Sequence, residues 1–297
     1  MLSAEIFTFF ELLVLIYFYI YYIINTMEKS VALNGYAKVN LSLGISGVEN
    51  GFHMLDSVMT TVDLYDEVTM SLRDDDQVTV TYLTGESFAC DNALKTAKAL
   101  KEHYALPGVD IKISKHVPQG IGVGGSAVDS AAIARGYEML LGKQFNDDFL
   151  VTLGGDVPFL KRRGSAVVTG RGEGVTPIMQ KALHIALAYG TKSISTRDVF
   201  ALYDARGGEN GTSKQFLSDG IPFNALEKSA IEIEPSILES KNLLFQAGFD
   251  KVVMTGAGSA FIAFESDKEL FESKLKQAEM LAESTDIKLK KLTLIKE

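Results

Sequence analysis

The sequence predicts an α+β fold of two domains, because its strands and helices occur in separate groups. Period-two alternation marks several strands in the first half, and a strand, a glycine-rich loop and a helix follow them. The second half places two helices before a group of short apolar strands. With 297 residues, of which 46% are hydrophobic, the chain has enough apolar side chains for complete cores.

The first strands follow from alternation of apolar with polar or small residues over 39–45, 68–72 and 78–82. This pattern is typical of strands with one buried face, so we expect an antiparallel sheet here. Apolar residues at helical spacing predict the first helix over 91–106, with Asp91 or Asn92 as its N-cap.

The rest of the chain continues with the same periodicities. The predicted elements are a strand at 109–113, a helix at about 127–140, a hairpin with two glycine turns at 164–177, a strand at 182–189, two helices, a strand at 251–254, a strand at 261–264, a helix at 268–284 and a closing strand at 287–295. We place the domain boundary near residue 181, which gives domains of 27–180 and 181–297.

Charge and cysteine content restrict the function. The formal net charge of -9 disfavours nucleic acid as a partner, because binding to phosphate backbones depends on clustered Lys and Arg. Cys90 is the only cysteine, so no intramolecular disulfide can form and a reducing compartment such as the cytoplasm is expected. The four histidines are scattered and there is no HExxH motif, so we expect no tightly bound metal.

Residues 1–26 form an apolar extension. The run 12–24 contains thirteen apolar residues, fewer than the roughly 20 that a membrane helix needs. No Lys or Arg precedes it and no small-residue cleavage site follows, which disfavours a secretory signal. Met27 directly precedes the first segment typical of a folded protein. The interpretations are a mis-assigned start, a membrane or interface anchor, and an additional helix that docks on the body.

The segment 118–126 (PQGIGVGGS) contains the clearest chemical signal. Its glycines stand directly before a predicted helix, where backbone without side chains can approach an anion and N–H groups point outward. The phosphate-binding candidates are Pro118, Gly120, Gly122, Gly124, Gly125 and Ser126. A glycine turn that only connects a strand to a helix is the alternative.

The same loop contains GxGxxG at Gly120, Gly122 and Gly125, which leaves a dinucleotide-binding oxidoreductase as an alternative. Such a fold needs a parallel βαβ unit with an acidic residue about 20 positions later, at the end of the next strand. The region 138–148 is instead typical of helix and loop. The Walker pattern is also absent, because no Lys-Ser or Lys-Thr follows the glycines.

Several motifs together resemble the GHMP kinases, over the chain from about residue 31 to its end. They are AKVN at 37–40, GFH at 51–53, DLYDE at 63–67, the loop PQGIGVGGS, LGGDVP at 153–158 and TGAGSA at 255–260. Within that family the chain is most similar to kinases that phosphorylate the 2-hydroxyl group of 4-diphosphocytidyl-2-C-methyl-D-erythritol, in the non-mevalonate route to isoprenoids.

This resemblance implies a two-domain kinase that binds ATP with Mg²⁺, and a small-molecule acceptor, in the cleft between the domains. Asp156 matches the family's catalytic aspartate, which accepts the proton of the acceptor hydroxyl. Lys38 matches the lysine beside it, whose positive charge offsets charge that develops in the transition state. The alternatives are a helix cap for Asp156 and a solvated strand lysine for Lys38.

The resemblance also implies a pocket for cytosine. Phe52 and His53 match the aromatic residue and histidine that read the base, and Thr196 and Phe200 match the other side of the pocket. Asn40 is similar to a substrate-contacting asparagine. Gly256, Gly258 and Ser259 would form a second glycine loop near the site. Core packing of the aromatic residues and a strand-edge position for Asn40 are the alternatives.

The chain departs from the family at the phosphate loop. Related kinases usually have Gly-Gly-Gly-Ser-Ser followed by Asn or Asp, whereas this chain has Gly124-Gly125-Ser126-Ala127-Val128-Asp129. The segment from 144 to 156 is also a few residues short. Another GHMP kinase activity and a ligand-binding paralogue without catalysis therefore remain alternatives. We expect a monomer or a homodimer.

Overall fold

The computed structural model describes residues 29–85, 91–179, 182–206 and 211–295, so the extension 1–26 and Cys90 lie outside the described residues. Its strands are β1 (Ser30–Glu49), β2 (Phe52–Leu72), β3 (Val78–Tyr82), β4 (Val109–Ser114), β5 (Ser165–Gly170), β6 (Gly174–Pro177), β7 (His184–Tyr189), β8 (Phe223–Asn224), β9 (Val252–Met254), β10 (Phe261–Glu265) and β11 (Lys288–Thr293).

The helices of the first half are α1 (Asn92–Tyr104), α2 (Gly125–Leu141), α3 (Asp147–Leu153) and α4 (Val157–Arg162). Those of the second half are α5 (Thr196–Arg206), α6 (Ser213–Asp219), α7 (Glu227–Ile233), α8 (Leu238–Gln246) and α9 (Lys268–Ala282), with a 3-10 turn at Pro235–Ile237. Asp91 is the N-cap of α1, because its side chain accepts the N–H of Leu94.

A long hairpin of β1 and β2 organises the first sheet. Its two-residue turn, Asn50–Gly51, has positive φ at both positions, as tight hairpins of this length require. One end of β2 pairs with β4 and the other with β5, both antiparallel. The short strand β8 adds a parallel edge to β1 from the second half of the chain.

Strand β3 differs from the predicted antiparallel arrangement. β3 runs parallel to β4, with α1 in the connection between them. Alternation defines which face of a strand is apolar but not the direction of its partner, so this pairing was not available from the pattern.

The second sheet has the order β11-β7-β10-β9 and is antiparallel throughout. Its residues alternate between two apolar clusters: Ile185 and Leu187 of β7 pack with the first sheet, while Ala186 and Ala188 pack with residues of α8 and α9. A bridge between Val62 and Leu294 also joins the two sheets. The boundary near residue 181 stays a prediction.

Candidate active site

A cleft of about 410 Å³ lies between β1, the glycine loop, the loop before α4, and α5. Thirteen of the sixteen predicted site residues line it: Lys38, Asn40, Phe52, His53, Gly120, Gly122, Gly124, Gly125, Ser126, Asp156, Thr196, Phe200 and Gly256. The three others, Pro118, Gly258 and Ser259, do not. Both halves of the chain thus contribute to one concave site, and ligand sites are commonly concave clefts of this kind.

Lys38 and Asp156 face each other in this cleft. Lys38 is 3% exposed on β1, and its Nζ lies 3.5 Å from Oδ2 of Asp156. Asp156 occupies the N-cap position of α4, but its side chain makes no capping hydrogen bond. Its carboxylate therefore remains available to a hydroxyl group in the cleft, beside a fixed positive charge.

Asn40 connects this pair to the second half of the molecule. Its Oδ1 accepts hydrogen bonds from Lys38 Nζ at 2.6 Å and from the N–H of Gly256 at 2.9 Å. Its Nδ2 donates to Oγ of Ser57 at 2.9 Å. Since both polar atoms are engaged and the residue is fully buried, the geometry assigns Asn40 a positioning role for Lys38. Contact with substrate stays a prediction.

The glycine loop presents the N-terminus of α2 to the cleft. Gly124 is the N-cap at φ 84° and has no side chain to cap the helix, which begins at Gly125. First-turn N–H groups carry partial positive charge, which favours anions. The N–H of Lys38 donates to the carbonyl of Val123 at 3.1 Å and fixes the loop to β1. The carbonyl oxygen of Pro118 would lie 3.0 Å from a Cβ at Gly125.

The two glycine loops are in direct backbone contact. A Cβ at Gly122 would lie 1.9 Å from the carbonyl oxygen of Thr255, and one at Gly256 would lie 2.6 Å from that of Gly122. Thr255 Oγ1 also donates to the carbonyl of Gly122 at 3.1 Å. Ser259, 2% exposed, donates to the carbonyl of Lys192. The second loop thus packs against the first, and Gly256 and Ala257 are its members that line the cleft.

The other end of the cleft is aromatic. The rings of His53 and Phe200 are 4.5 Å apart between centroids, with a 38° interplanar angle. Phe52 is 54% exposed beside them, so its face can stack on a planar ligand. The imidazole Nε2 of His53 lies 2.7 Å from Oδ1 of Asp204, which orients the ring.

Comparison with known proteins places this chain in a family. Residues 91–162 match the model described as the GHMP kinases N terminal domain. A protein of Brevibacillus brevis named 4-diphosphocytidyl-2-C-methyl-D-erythritol kinase is 32% identical over 258 residues, which cover 78% of this chain and 87% of the relative. A Geobacter metallireducens protein of the same name is 34% identical over 259 residues, covering 81% and 92%.

The chain belongs to the 4-diphosphocytidyl-2-C-methyl-D-erythritol kinase family of GHMP kinases. A crystal structure of 4-(cytidine 5'-diphospho)-2C-methyl-D-erythritol kinase shares the fold, with a TM-score of 0.71 at 23% identity, covering 89% of this chain and 99% of that one. The predicted family, fold class and enzyme class are confirmed: the protein is an ATP-dependent small-molecule kinase.

Membership in the GHMP kinases removes the oxidoreductase alternative, and the topology gives the reason. The strand that follows the glycine loop and its helices is β5, which pairs with β2 and β6. It does not pair with β4, so there is no parallel βαβ unit around the GxGxxG match.

The departure from the usual GHMP kinase loop has a structural explanation. Val128, which follows Ala127 where related kinases have their serine pair, is fully buried against β1. A Cβ at Gly35 would lie 2.9 Å from Cγ1 of Val128, so valine fits only because glycine stands opposite it. The change thus enters the core and leaves Ser126 on the cleft.

A buried triad of Asp66, Lys115 and Asp129 supports the glycine loop. Nζ of Lys115 contacts carboxylate oxygens of both Asp66 and Asp129, at 2.7 Å in the case of Asp129. Asp66 also accepts the N–H groups of His116 and Val117, at 2.6 and 2.8 Å. Burial raises the pKa of Asp129 to about 7, and Lys115 opposes that shift.

Two charged residues at the site were missed by the sequence analysis. Asp204 follows Thr196 and Phe200 at a spacing of four on α5, so that helical spacing could have identified it. Arg171 lies in the β5–β6 turn and lines the cleft. No local signal could have placed it beside Phe52, since that proximity depends on the pairing of β5 with β2.

Two further observations concern the described ranges of the chain. No helix within them combines the length and hydropathy needed to cross a membrane. No group of three or more His, Cys, Asp or Glu side chains in that part of the chain is arranged to hold a metal ion.

Proposed function

We propose that this kinase transfers the γ-phosphoryl group of ATP to the 2-hydroxyl group of 4-diphosphocytidyl-2-C-methyl-D-erythritol. The observation that carries the proposal is the position of Asp156 and Lys38 between a glycine-rich phosphate loop and an aromatic subsite, all in one cleft. The relatives with this name cover most of the chain, which supports the same acceptor.

The chemistry follows from that position. The acceptor oxygen attacks the γ-phosphorus, the bond to the β,γ-bridging oxygen breaks, and ADP leaves. Asp156 accepts the hydroxyl proton, and Lys38 offsets negative charge at the transferred group. The N–H groups at Gly124, Gly125 and Ser126 hold the phosphates of ATP at the N-terminus of α2.

We also infer that ATP binds with Mg²⁺. The hydroxyl oxygen of Ser126 on the cleft wall suits this ion, which at kinase sites is bound largely by substrate phosphates and water with few protein ligands. Bound there, the ion would neutralise part of the phosphate charge.

Acceptor recognition is assigned to the aromatic end. Cytosine would stack on Phe52, and the imidazole of His53, held by Phe200 and Asp204, would meet the edge of the base. These contacts are remote from the transferred group, so they contribute mainly uniform binding.

The test compares three acceptors: 4-diphosphocytidyl-2-C-methyl-D-erythritol, mevalonate and homoserine. We expect the cytidyl acceptor to have by far the largest kcat/KM, because the other two have no base to stack. His53→Ala should raise the KM for the cytidyl acceptor by about 10-fold, as expected for a contact worth 1–3 kcal/mol. It should lower kcat by a smaller factor. His116→Ala, an exposed histidine outside the cleft, is the matched control. Equal turnover of an acceptor without a base would overturn the assignment.

A further inference from the structure

Arg171 occupies a position between the two ends of the cleft. It lies in the tight turn Arg171–Gly172–Glu173 that joins β5 to β6. The pairing of Gly170 with Leu55 places this turn beside the start of β2. The guanidinium carbon lies 5.3 Å from the ring centroid of Phe52, within the range of a cation–π contact.

The same turn is in backbone contact with the loop that carries Asp156. A Cβ at Gly155 would lie 2.8 Å from the carbonyl oxygen of Arg171, and one at Gly172 would lie 1.8 Å from that of Gly155. An acceptor that stacks on Phe52 and reaches Asp156 with its hydroxyl group must therefore pass Arg171.

Charge distinguishes Arg171 from the other cation of the cleft. Lys38 is already engaged by Asn40 and Asp156. Arg171 has a single ionic partner among the described residues, Glu173 at 3.9 Å, and its side chain is 37% exposed. Its planar guanidinium thus keeps donors available to the cleft, in the fork geometry that suits phosphate oxygens.

We propose that Arg171 binds the phosphoanhydride group of the acceptor and is the residue by which this kinase selects a nucleoside diphosphate over an uncharged nucleoside. This inference rests on the proposed function, because it assigns Arg171 to the diphosphate group of an acceptor whose base stacks on Phe52. The turn holds the guanidinium at that point by its pairing with β2 and its contact with Gly155.

The experiment measures binding of CDP and of cytidine by titration calorimetry, with the ATP site saturated by a non-hydrolysable ATP analogue. We expect the wild-type protein to bind CDP roughly 10- to 100-fold more tightly than cytidine, the range expected for charge-assisted hydrogen bonds. Arg171→Ala should bind both ligands equally, with unchanged cytidine affinity, which also shows that the pocket is intact. Arg171→Lys should retain part of the preference.

Arg197→Ala is the matched control. It removes the same charge from an exposed position next to Thr196 that does not line the cleft, so the preference for CDP should persist. If Arg171→Ala keeps the preference of the wild type, the inference is wrong while the cytosine pocket stands. If the wild-type protein binds neither CDP nor cytidine, the proposed acceptor itself is wrong.

Discussion

Lys38 and Asp156 are brought together from β1 and the start of α4, and a third residue, Asn40, holds the lysine in place. The lysine is almost fully buried, whereas the aspartate side chain keeps 26% of its surface exposed to the cleft. That difference agrees with the proposed roles, in which Lys38 is a fixed charge and Asp156 is a carboxylate that an incoming hydroxyl group can reach.

Asp156→Asn should reduce kcat by about 10²- to 10⁴-fold, the range of general base catalysis, because an amide cannot accept the proton. The affinity for ATP, measured by equilibrium binding, should stay near the wild-type value. Asp148→Asn, an exposed carboxylate on α3, is the control and should have normal turnover. Near wild-type turnover of Asp156→Asn would show that another group accepts the proton.

At the scale of elements, the contact between the two glycine loops leaves no space for a side chain at either loop. Gly122 and Gly256 face each other with positive φ values of 87° and 59°, and neither has room for a Cβ. The first loop carries the N-terminus of α2, so its position depends on the second.

Gly122→Ala should therefore weaken ATP binding and lower kcat together, since loop displacement of about 1 Å can cost 10²-fold in rate. Gly142→Ala is a matched control, because Gly142 also has positive φ but no atom within 4 Å of its added Cβ. We expect it to cost only about 1 kcal/mol of stability, with normal ATP affinity. Equal ATP affinity in both variants would contradict the loop contact as a determinant of the site.

Strand β1 shows what alternation predicts and what it omits. The apolar positions of 39–45 were identified, but the structure buries both faces from Ala37 to Ile45. The register of β1 against β2 shifts between Asn40 and Ser42, so Leu41 belongs to the first apolar cluster and Leu43 to the second. The polar positions of this strand include Lys38 and Asn40, which line the cleft.

At the scale of the whole molecule, most residues of the candidate site could be predicted from short sequence motifs, because each motif is one continuous loop of the site. What the sequence could not supply were contacts between distant elements. Arg171 reaches Phe52 only through the pairing of β5 with β2, and Pro118, Gly258 and Ser259 support the loops without lining the cleft. Individual motifs cannot distinguish such support from contact with a ligand.

The triad of Asp66, Lys115 and Asp129 joins β2, the segment after β4, and α2, so its protonation affects the stability of the whole molecule. Burial raises the pKa of Asp129 from its ordinary 3.8 to about 7, and Oδ1 of this residue has no hydrogen-bond partner among the described residues. Between these pH values the folded protein holds a proton that the unfolded chain has lost. The contribution of Asp129 to stability is therefore complete below its ordinary pKa and is lost as pH rises through about 7.

Asp129→Asn removes this titration, so its free energy of unfolding relative to wild type should rise as pH increases from about 5 and level off above about 7. Denaturant titrations across that range measure the difference, and a constant offset from other effects of the amide does not alter the slope. Asp110→Asn is the control: hydrogen bonds from Thr79 and Arg73 lower the pKa of Asp110, so its difference from wild type should be flat above pH 5. A flat difference for Asp129→Asn as well would show that Asp129 is ionised in the folded protein throughout this range, with Lys115 compensating the cost of its burial.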